Sequence, residues 1–123
     1  MEQTLYDSSG RPAAYIADDP YHSIYLWTGL AVAYIDHGCL YAWSGSHLGW
    51  FADGVLYDLQ GLRVASVSAH CPVPTLAARA KDPKLPQRLR SPQHPTLPQP
   101  PFSSAYSSMA ATDFLLSGSS AEA

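Results

Sequence analysis

Short runs of alternating apolar and polar residues fill the first half of the chain, and glycines interrupt them at regular intervals. Residues 5–16 align without gaps to residues 24–35, 40–51 and 56–67, so one unit occurs four times. Each unit has two extended runs around a central glycine, which is the pattern of a β-hairpin. The sequence therefore predicts an all-β fold of four consecutive hairpins. A closed meander would pair the first hairpin with the last, remove exposed sheet edges and have pseudo-four-fold symmetry.

Equivalent positions in the four units predict equivalent structural roles. The second position is always tyrosine after leucine or isoleucine, the tenth is always small, and the twelfth is large and apolar. Small residues are expected where the copies crowd around a shared axis. The sixth position is always glycine, where a tight turn needs a residue that tolerates positive φ. These predicted turn glycines are Gly10, Gly29, Gly45 and Gly61.

The repeated Tyr-x-x-x-Gly spacing and the segment from Trp43 to Phe51 resemble the four-fold β-flower domain of small bacterial proteins. The resemblance covers residues 5–67, and beyond it the tail shares only a proline-rich character. It implies the fold and a bacterial origin. Because no activity is established for that family, it assigns no functional residue. The regular pattern is broken at Ser66, where the other units have tyrosine or tryptophan, and at Ser8, where two others have tryptophan.

The composition of the chain changes near residue 68. The first 67 residues contain all three tryptophans and seven of the eight tyrosines, whereas nine of the eleven prolines follow. We predict a four-hairpin domain at 1–67, a flexible, disordered proline-rich linker at 68–106, a short helical docking segment at 107–118 and a disordered terminus at 119–123. Phe114, Leu115 and Leu116 would anchor the docking segment on the head, on another copy or on a foreign partner. The alternative is an unselected frayed terminus.

Charge divides at the same boundary. Residues 1–67 carry seven acidic and two basic side chains, a net charge of −5, whereas the tail carries five basic and three acidic ones, a net charge of +2. An acidic head repels phosphate backbones, so no nucleic-acid partner is expected. The basic run from Arg79 to Arg90 could attract an anionic surface, including this head. Within that run, Pro83 to Arg88 fits a proline-ligand pattern for aromatic grooves.

Targeting and redox signals are few. The N-terminus has no basic region before an apolar stretch, and the longest mostly apolar run, Leu26 to Ile35, is too short to span a bilayer. The cysteines, Cys39 and Cys71, are too few for a disulfide framework and lack paired metal spacing. We therefore expect a cytoplasmic protein with reduced thiols, no membrane association and no cofactor.

Aromatic residues are the richest chemical feature of the predicted head. A binding surface, if one exists, would use Tyr25, Trp27, Tyr41, Trp43, His47 and Trp50. Tyrosine and tryptophan offer flat apolar faces with a polar edge, but a small β-domain also needs such residues for packing. Both readings stay open.

Titratable residues suggest catalysis only weakly. His22 and His37 lie in predicted connections between hairpins, where histidine is common, so His47 is the best single candidate. Asp7 and Asp58 occupy the same position of the first and last units, and these two hairpins would be neighbours in a closed ring. The two aspartates are either an acid/base pair or solvated strand residues.

These patterns favour a non-enzymatic protein-interaction or assembly module with a flexible docking tail, whose partner is another protein or a second copy. Small-ligand or glycan binding in an aromatic groove is the alternative. A hydrolytic or metal-dependent enzyme centred on His47 is a third hypothesis, opposed by the lack of a readable nucleophile, base and orienting residue. No catalytic or metal-binding residue is assigned.

Overall fold

The fold is a closed antiparallel barrel of eight short strands. A computed structural model describes residues 2–77, 80–87 and 89–120, except the side chains of residues 118–120. The strands are β1 (Gln3–Tyr6), β2 (Pro12–Ile16), β3 (Ser23–Leu26), β4 (Ala31–Asp36), β5 (Cys39–Ala42), β6 (His47–Ala52), β7 (Val55–Tyr57) and β8 (Arg63–Ser66). Each strand pairs with the next, and β8 pairs with β1 through Ser66 and Tyr6. The predicted all-β meander of four hairpins is confirmed.

The four hairpin turns share one geometry. Each predicted turn glycine has a positive φ, between 78° and 93°, and donates its N–H to the carbonyl three residues earlier at 2.9 to 3.0 Å. This is the geometry of three-residue hairpin loops that end in a left-handed glycine, and a separate bulge follows further along each strand pairing. We call this the turn end of the barrel.

Two aspartates cap turns at this end. Asp7 Oδ1 accepts the N–H groups of Ser9 and Arg11, at 2.9 and 3.0 Å, and Asp58 Oδ1 accepts those of Gln60 and Leu62, both at 2.9 Å. Each carboxylate therefore holds the backbone of its own turn, which accounts for aspartate at these equivalent positions.

The connections at the other end, the far end, are shorter in two cases. His37 and Gly38 join β4 to β5, Asp53 and Gly54 join β6 to β7, and all four residues have positive φ. Two left-handed residues form the turn that matches the twist of a hairpin. The connection from β2 to β3, residues 17–22, is longer and contains the three additional residues of the first repeat spacing.

The barrel interior is built from pairs of one large and one small residue. The first-position residues Leu5, Ile24, Leu40 and Leu56 are fully buried, and their cross-strand partners are the tenth-position residues Ala14, Ala33, Gly49 and Ala65. The small residue leaves room for the large one across each hairpin, whereas the atoms closest to Gly49 belong to Tyr57 and Asp58 of the next hairpin.

The tail contains little regular structure. A 3-10 turn spans Ser68–His70 and helix α1 spans Ala111–Ser120; among the described residues from 71 to 110 no other helix or strand is present. The segment is nevertheless laid against the head, as described below, and its predicted flexibility stays a prediction. Of the predicted disordered terminus, residues 119 and 120 belong to α1 and residues 121–123 lie outside the described residues.

Helix α1 begins four residues after the start of the predicted docking segment at 107. The Ser107 N–H donates to the Arg63 carbonyl at 2.8 Å, and the Ser107 hydroxyl accepts the Met109 N–H at 3.2 Å. These bonds tie residue 107 to β8 and a local turn. The helix therefore starts only after the chain has left the strand.

Gly49 provides a test of the packing inside the barrel. A Cβ atom at Gly49 would lie 1.9 Å from the Tyr57 carbonyl oxygen. We expect Gly49→Ala to lower the free energy of unfolding by about 1–3 kcal/mol, because β6 or β7 must move. Urea unfolding followed by circular dichroism measures this. Ala33→Gly, at the equivalent position of another hairpin, only removes a methyl group and is expected to cost about 1 kcal/mol. Unchanged stability of Gly49→Ala would contradict the close approach.

Candidate functional site

The proline-rich tail crosses the four turns of the head in order, once every nine residues. The amides of Leu76, Leu85, His94 and Ser103 donate to the carbonyl oxygens of Gly10, Gly29, Gly45 and Gly61 at 2.8 to 2.9 Å. Two residues before each donor stands a proline, at positions 74, 83, 92 and 101. We call the described residues from 74 to 103, which leave out 78, 79 and 88, the belt. It surrounds the turn end of the barrel.

The belt approaches the turns so closely that only glycine fits. A Cβ atom on any of the four turn glycines would lie 2.0 to 2.5 Å from the carbonyl oxygen of the facing belt proline. Left-handed backbone and a close neighbour thus require glycine for two independent reasons. The contact is the same at all four turns.

Belt side chains fill the junctions between neighbouring hairpins. The first junction, between β2 and β3, contains the aromatic rings of Tyr15, Tyr25 and Trp27, which we call the first cage. Tyr15 stacks on Tyr25 with ring centroids 5.6 Å apart and meets Trp27 edge to face at 5.6 Å. Burial raises the pKa of the Tyr15 hydroxyl. The cage presents the negative faces of its rings to the belt.

Two lysines of the belt lie on the first cage. Lys81 Nζ is 4.1 Å from the Tyr15 ring centroid and 5.6 Å from that of Trp27, and Lys84 Nζ is 5.3 Å from that of Tyr25. The Glu2 carboxylate bridges the two ammonium groups at 2.6 and 2.8 Å. These hydrogen bonds lower the pKa of Glu2, first through Lys81 and then through Lys84.

The second junction, between β4 and β5, repeats this arrangement with an arginine. Tyr34 meets Trp43 edge to face at 5.8 Å, and the exposed ring of Tyr21 completes what we call the second cage. Arg90 Cζ is 3.4 Å from the Tyr21 centroid, 4.9 Å from that of Tyr34 and 5.6 Å from that of Trp43. Arg90 lies nine residues after Lys81, so the two cations occupy equivalent positions of the belt.

The third junction, between β6 and β7, holds a ring in place of a cation. Phe102 stacks on Tyr57 with centroids 3.9 Å apart and planes 4° from parallel, and lies 6.2 Å from Trp50. Trp50 also meets His47 edge to face at 4.7 Å. The Leu97 N–H donates to His47 Nδ1 at 3.0 Å, and burial lowers the pKa of the imidazole. His47 therefore binds the belt as a neutral hydrogen-bond acceptor through Nδ1.

The fourth junction, between β8 and β1, lacks an aromatic pair. Ser66 lies opposite Tyr6 and is fully buried, and its hydroxyl oxygen has no hydrogen-bond partner among the described residues. Here the chain enters the belt, and the Cys71 thiol donates to the Asp7 carbonyl at 3.6 Å. The two deviations from the repeat pattern, Ser8 and Ser66, thus belong to the hairpins on either side of this one junction.

Helix α1 packs against the head itself. Ala111, Phe114 and Leu115 are buried in the same hydrophobic cluster as the barrel interior, and Leu116 packs on its margin. The helix contacts β2, β4, β5 and β8. In this structure the predicted docking segment therefore lies on its own head.

The structure separates the predicted aromatic binding residues into several places. Tyr25 and Trp27 share the first cage. Trp43 lies in the second cage, where Tyr41 stacks on Tyr34 with centroids 5.7 Å apart. His47 and Trp50 lie at the third junction, although the His47 ring is also 5.6 Å from that of Tyr41. The six residues thus lie at three junctions, and the contact between His47 and Tyr41 joins the second junction to the third.

Sequence reasoning missed the central ring of each cage, Tyr15 and Tyr34, and the cations Lys81 and Arg90 that lie on them. One available signal was overlooked, namely the nine-residue spacing of prolines in the tail. Two residues of the predicted basic run, Arg79 and Arg88, lie outside the described residues.

The remaining titratable residues do not converge. His22 and His37 both have positive φ in far-end connections, and His37 Nδ1 contacts Asp36 at 2.7 Å. The described part of the chain contains no group of three or more histidine, cysteine or acidic side chains arranged to hold a metal ion. Nor does it contain a helix long and apolar enough to cross a membrane.

The barrel, its belt and its docked helix define a hairpin-repeat β-protein whose tail packs against the head. A family model described as 4-fold beta flower protein matches residues 3–115, so the chain belongs to the 4-fold beta flower family. The match reaches beyond residues 5–67, over which the resemblance was recognised, and includes the belt and the first half of α1. Searches of the curated proteins and of the solved structures found no match.

The His47 contact predicts a dependence of stability on pH. In the folded protein the pKa of His47 is lowered, so below the ordinary histidine pKa of about 6.5 the unfolded chain binds the proton more readily. We expect the free energy of unfolding to fall as pH decreases through this range and to be constant above it. His47→Gln keeps an acceptor for the Leu97 amide and should flatten the dependence. Urea unfolding between pH 5 and 8 compares the two proteins, and identical slopes would argue against the role of His47.

Neighbouring leucines of α1 provide a matched test of docking. Leu115 is 1% exposed, whereas Leu116 is only half-buried at the cluster margin. Leu115→Ala should lower the free energy of unfolding by about 2–5 kcal/mol, and Leu116→Ala by clearly less. Thermal and urea unfolding of the full chain measure both. Equal effects would show that α1 does not pack through Leu115.

Proposed function

We propose that the head is a non-enzymatic protein-interaction module that binds an extended proline-rich segment around its turn end. In this structure its own belt occupies that surface. The observation that carries the proposal is the fourfold repetition of one contact, in which a turn glycine accepts a belt amide while a proline carbonyl covers it. The four turns present the same contact four times, and the residues that meet them are nine apart along the belt. Such a surface is suited to binding a segment whose contact residues repeat every nine positions.

A proline-rich segment suits this surface for physical reasons. Proline restricts the backbone to extended conformations, so less conformational entropy is lost when the segment is bound. Each turn contributes one amide–carbonyl bond, worth about 1 kcal/mol, and each exposed cation on a ring about 0.5–1 kcal/mol. The contacts are individually weak, and the complete set is needed to hold the segment.

The barrel does not depend on the belt for its closure. All eight strands lie within residues 3–66, and of the described tail residues only Ala111, Phe114 and Leu115 are buried in the core cluster. Most belt residues are exposed on their outer side. The belt can therefore be exchanged without separating any pair of strands, and exchange between two copies would lead to assembly through the same contacts.

A nicked protein tests whether the belt is an exchangeable ligand. A protease recognition sequence inserted after Pro72, which is exposed, allows the folded chain to be cut between head and belt. We expect the cut tail to stay associated during gel filtration and to be replaced by an excess of fluorescently labelled tail, residues 73–123. Fluorescence anisotropy follows the replacement.

The uncut protein with the same insertion is the control. Its tethered belt competes at an effective concentration of roughly millimolar, so it should take up far less labelled tail. If cutting causes the head to unfold, or if the cut protein never takes up labelled tail, the head is not an interaction module for this segment. Dimers of the uncut protein that carry exchanged tails would identify assembly as the form the interaction takes.

A further inference from the structure

We propose that the two aromatic cages are cation-reading subsites, and that the head binds in trans an extended peptide of another protein that carries lysine or arginine two residues before proline. This rests on the proposed function, since the same surface is used. The ligand class is a basic, proline-containing peptide with two such elements nine residues apart, in competition with the belt.

A correspondence within the chain supports cation reading. The belt has a cation two residues before its proline at two of its four crossings, in Lys81-Asp82-Pro83 and Arg90-Ser91-Pro92. These are the two crossings at which the head has a tryptophan two residues before the turn glycine. The other two turns have Ser8 and Leu59 there, and the positions two residues before the matching prolines are Pro72, just ahead of the belt, and Gln99. Tryptophan and cation thus occur together and are absent together.

The first cage is fitted to an ammonium group. Lys81 Nζ lies over the Tyr15 ring at 4.1 Å and contacts Glu2 Oε1 at 2.6 Å, so the charge meets both a ring face and a carboxylate. The backbone also fixes the register, since the Asp82 N–H donates to the Trp27 carbonyl at 3.0 Å. A compact ammonium group on a flexible stem suits this combination of a point charge and a ring.

The second cage is fitted to a planar guanidinium group. Arg90 Cζ lies 3.4 Å from the Tyr21 centroid, which is the distance of a stacked contact, and 4.9 Å from that of Tyr34. The Ser91 N–H donates to the Trp43 carbonyl at 3.0 Å, which repeats the register of the first cage. Guanidinium stacks on aromatic faces better than ammonium does, so this subsite favours arginine.

The belt occupies the cages in a form that a competitor can displace. The side chains of Lys81 and Lys84 remain 33% and 44% exposed, and each crossing is held by few bonds. Segments held in this way open locally at low free-energy cost. Because the tethered belt acts at roughly millimolar effective concentration, a peptide in trans must engage both cages to compete.

The test uses the full chain and a fluorescein-labelled peptide with the sequence of residues 80–95. A register-shifted peptide, in which Lys81 exchanges places with Asp82 and Arg90 with Ser91, has the same composition and charge. Binding is measured by anisotropy on wild type and on the variant Lys81→Gln, Lys84→Gln, Arg90→Gln, whose cages lack their cations. We expect the variant to bind the first peptide about tenfold more tightly than wild type does, and about tenfold more tightly than it binds the shifted peptide.

Removal of the cages supplies the matched control. Adding Trp27→Ala and Trp43→Ala to the variant should abolish the preference between the two peptides. Equal affinity for both peptides before this change, or an unchanged preference after it, overturns the inference. Should the variant not fold, the indole N–H resonances of Trp27 and Trp43 are followed in wild type at millimolar peptide. Shifts caused by the first peptide alone support the inference, and equal responses to both peptides overturn it.

The two proposals fail separately. If the nicked protein exchanges its tail but the cages show no preference for cation position, the proposed interaction module stands and the proposed cation subsites are excluded. A nicked protein that never exchanges its tail would exclude the module, and no competition by any peptide would then be expected.

Discussion

The missing side chain at four turns is the constraint on which the rest of the molecule depends. Any Cβ at these glycines would stand within 2.5 Å of a belt carbonyl oxygen, so the belt lies in contact with the head only because the turns end in bare backbone. Once the backbone contact is made, the nine-residue register follows. The register in turn sets which belt side chain faces each junction and where α1 meets the core.

Symmetry in this protein belongs to the backbone, whereas the chemistry differs at every junction. The same strand pairing and the same turn recur four times, yet the junctions present an ammonium cage, a guanidinium cage, a stacked pair of rings and a buried serine. Repetition supplies a rigid frame with equivalent positions. Substitution at those positions then gives each junction a different set of contacting side chains.

The hairpins could be predicted from the sequence because alternation and central glycines are local signals. The burial of the first-position residues and the small tenth position follow from the same pattern. The cages could not be predicted, since Tyr15 joins Tyr25 and Trp27 only when one hairpin pairs with the next. The position of the belt was also beyond a local pattern: its residues carry no hydrophobic period, and the surface they bind fixes their conformation. Even so, the tail has four prolines at a constant spacing of nine residues, and their number matches the four hairpins of the head.

The belt advances nine residues for each hairpin, while the head uses sixteen, or nineteen where the longer β2–β3 connection intervenes. Those three additional residues lie at the far end, and the belt spacing does not change with them. A tandem duplication that adds one hairpin to the gene would create a fifth turn with no belt unit to cover it, because the matching nine residues are encoded separately and downstream. Two independent insertions would be needed to enlarge the ring. The head and the belt thus each contain four repeats, in separate parts of the sequence. A change in the number of repeats in one part is restricted by the number in the other.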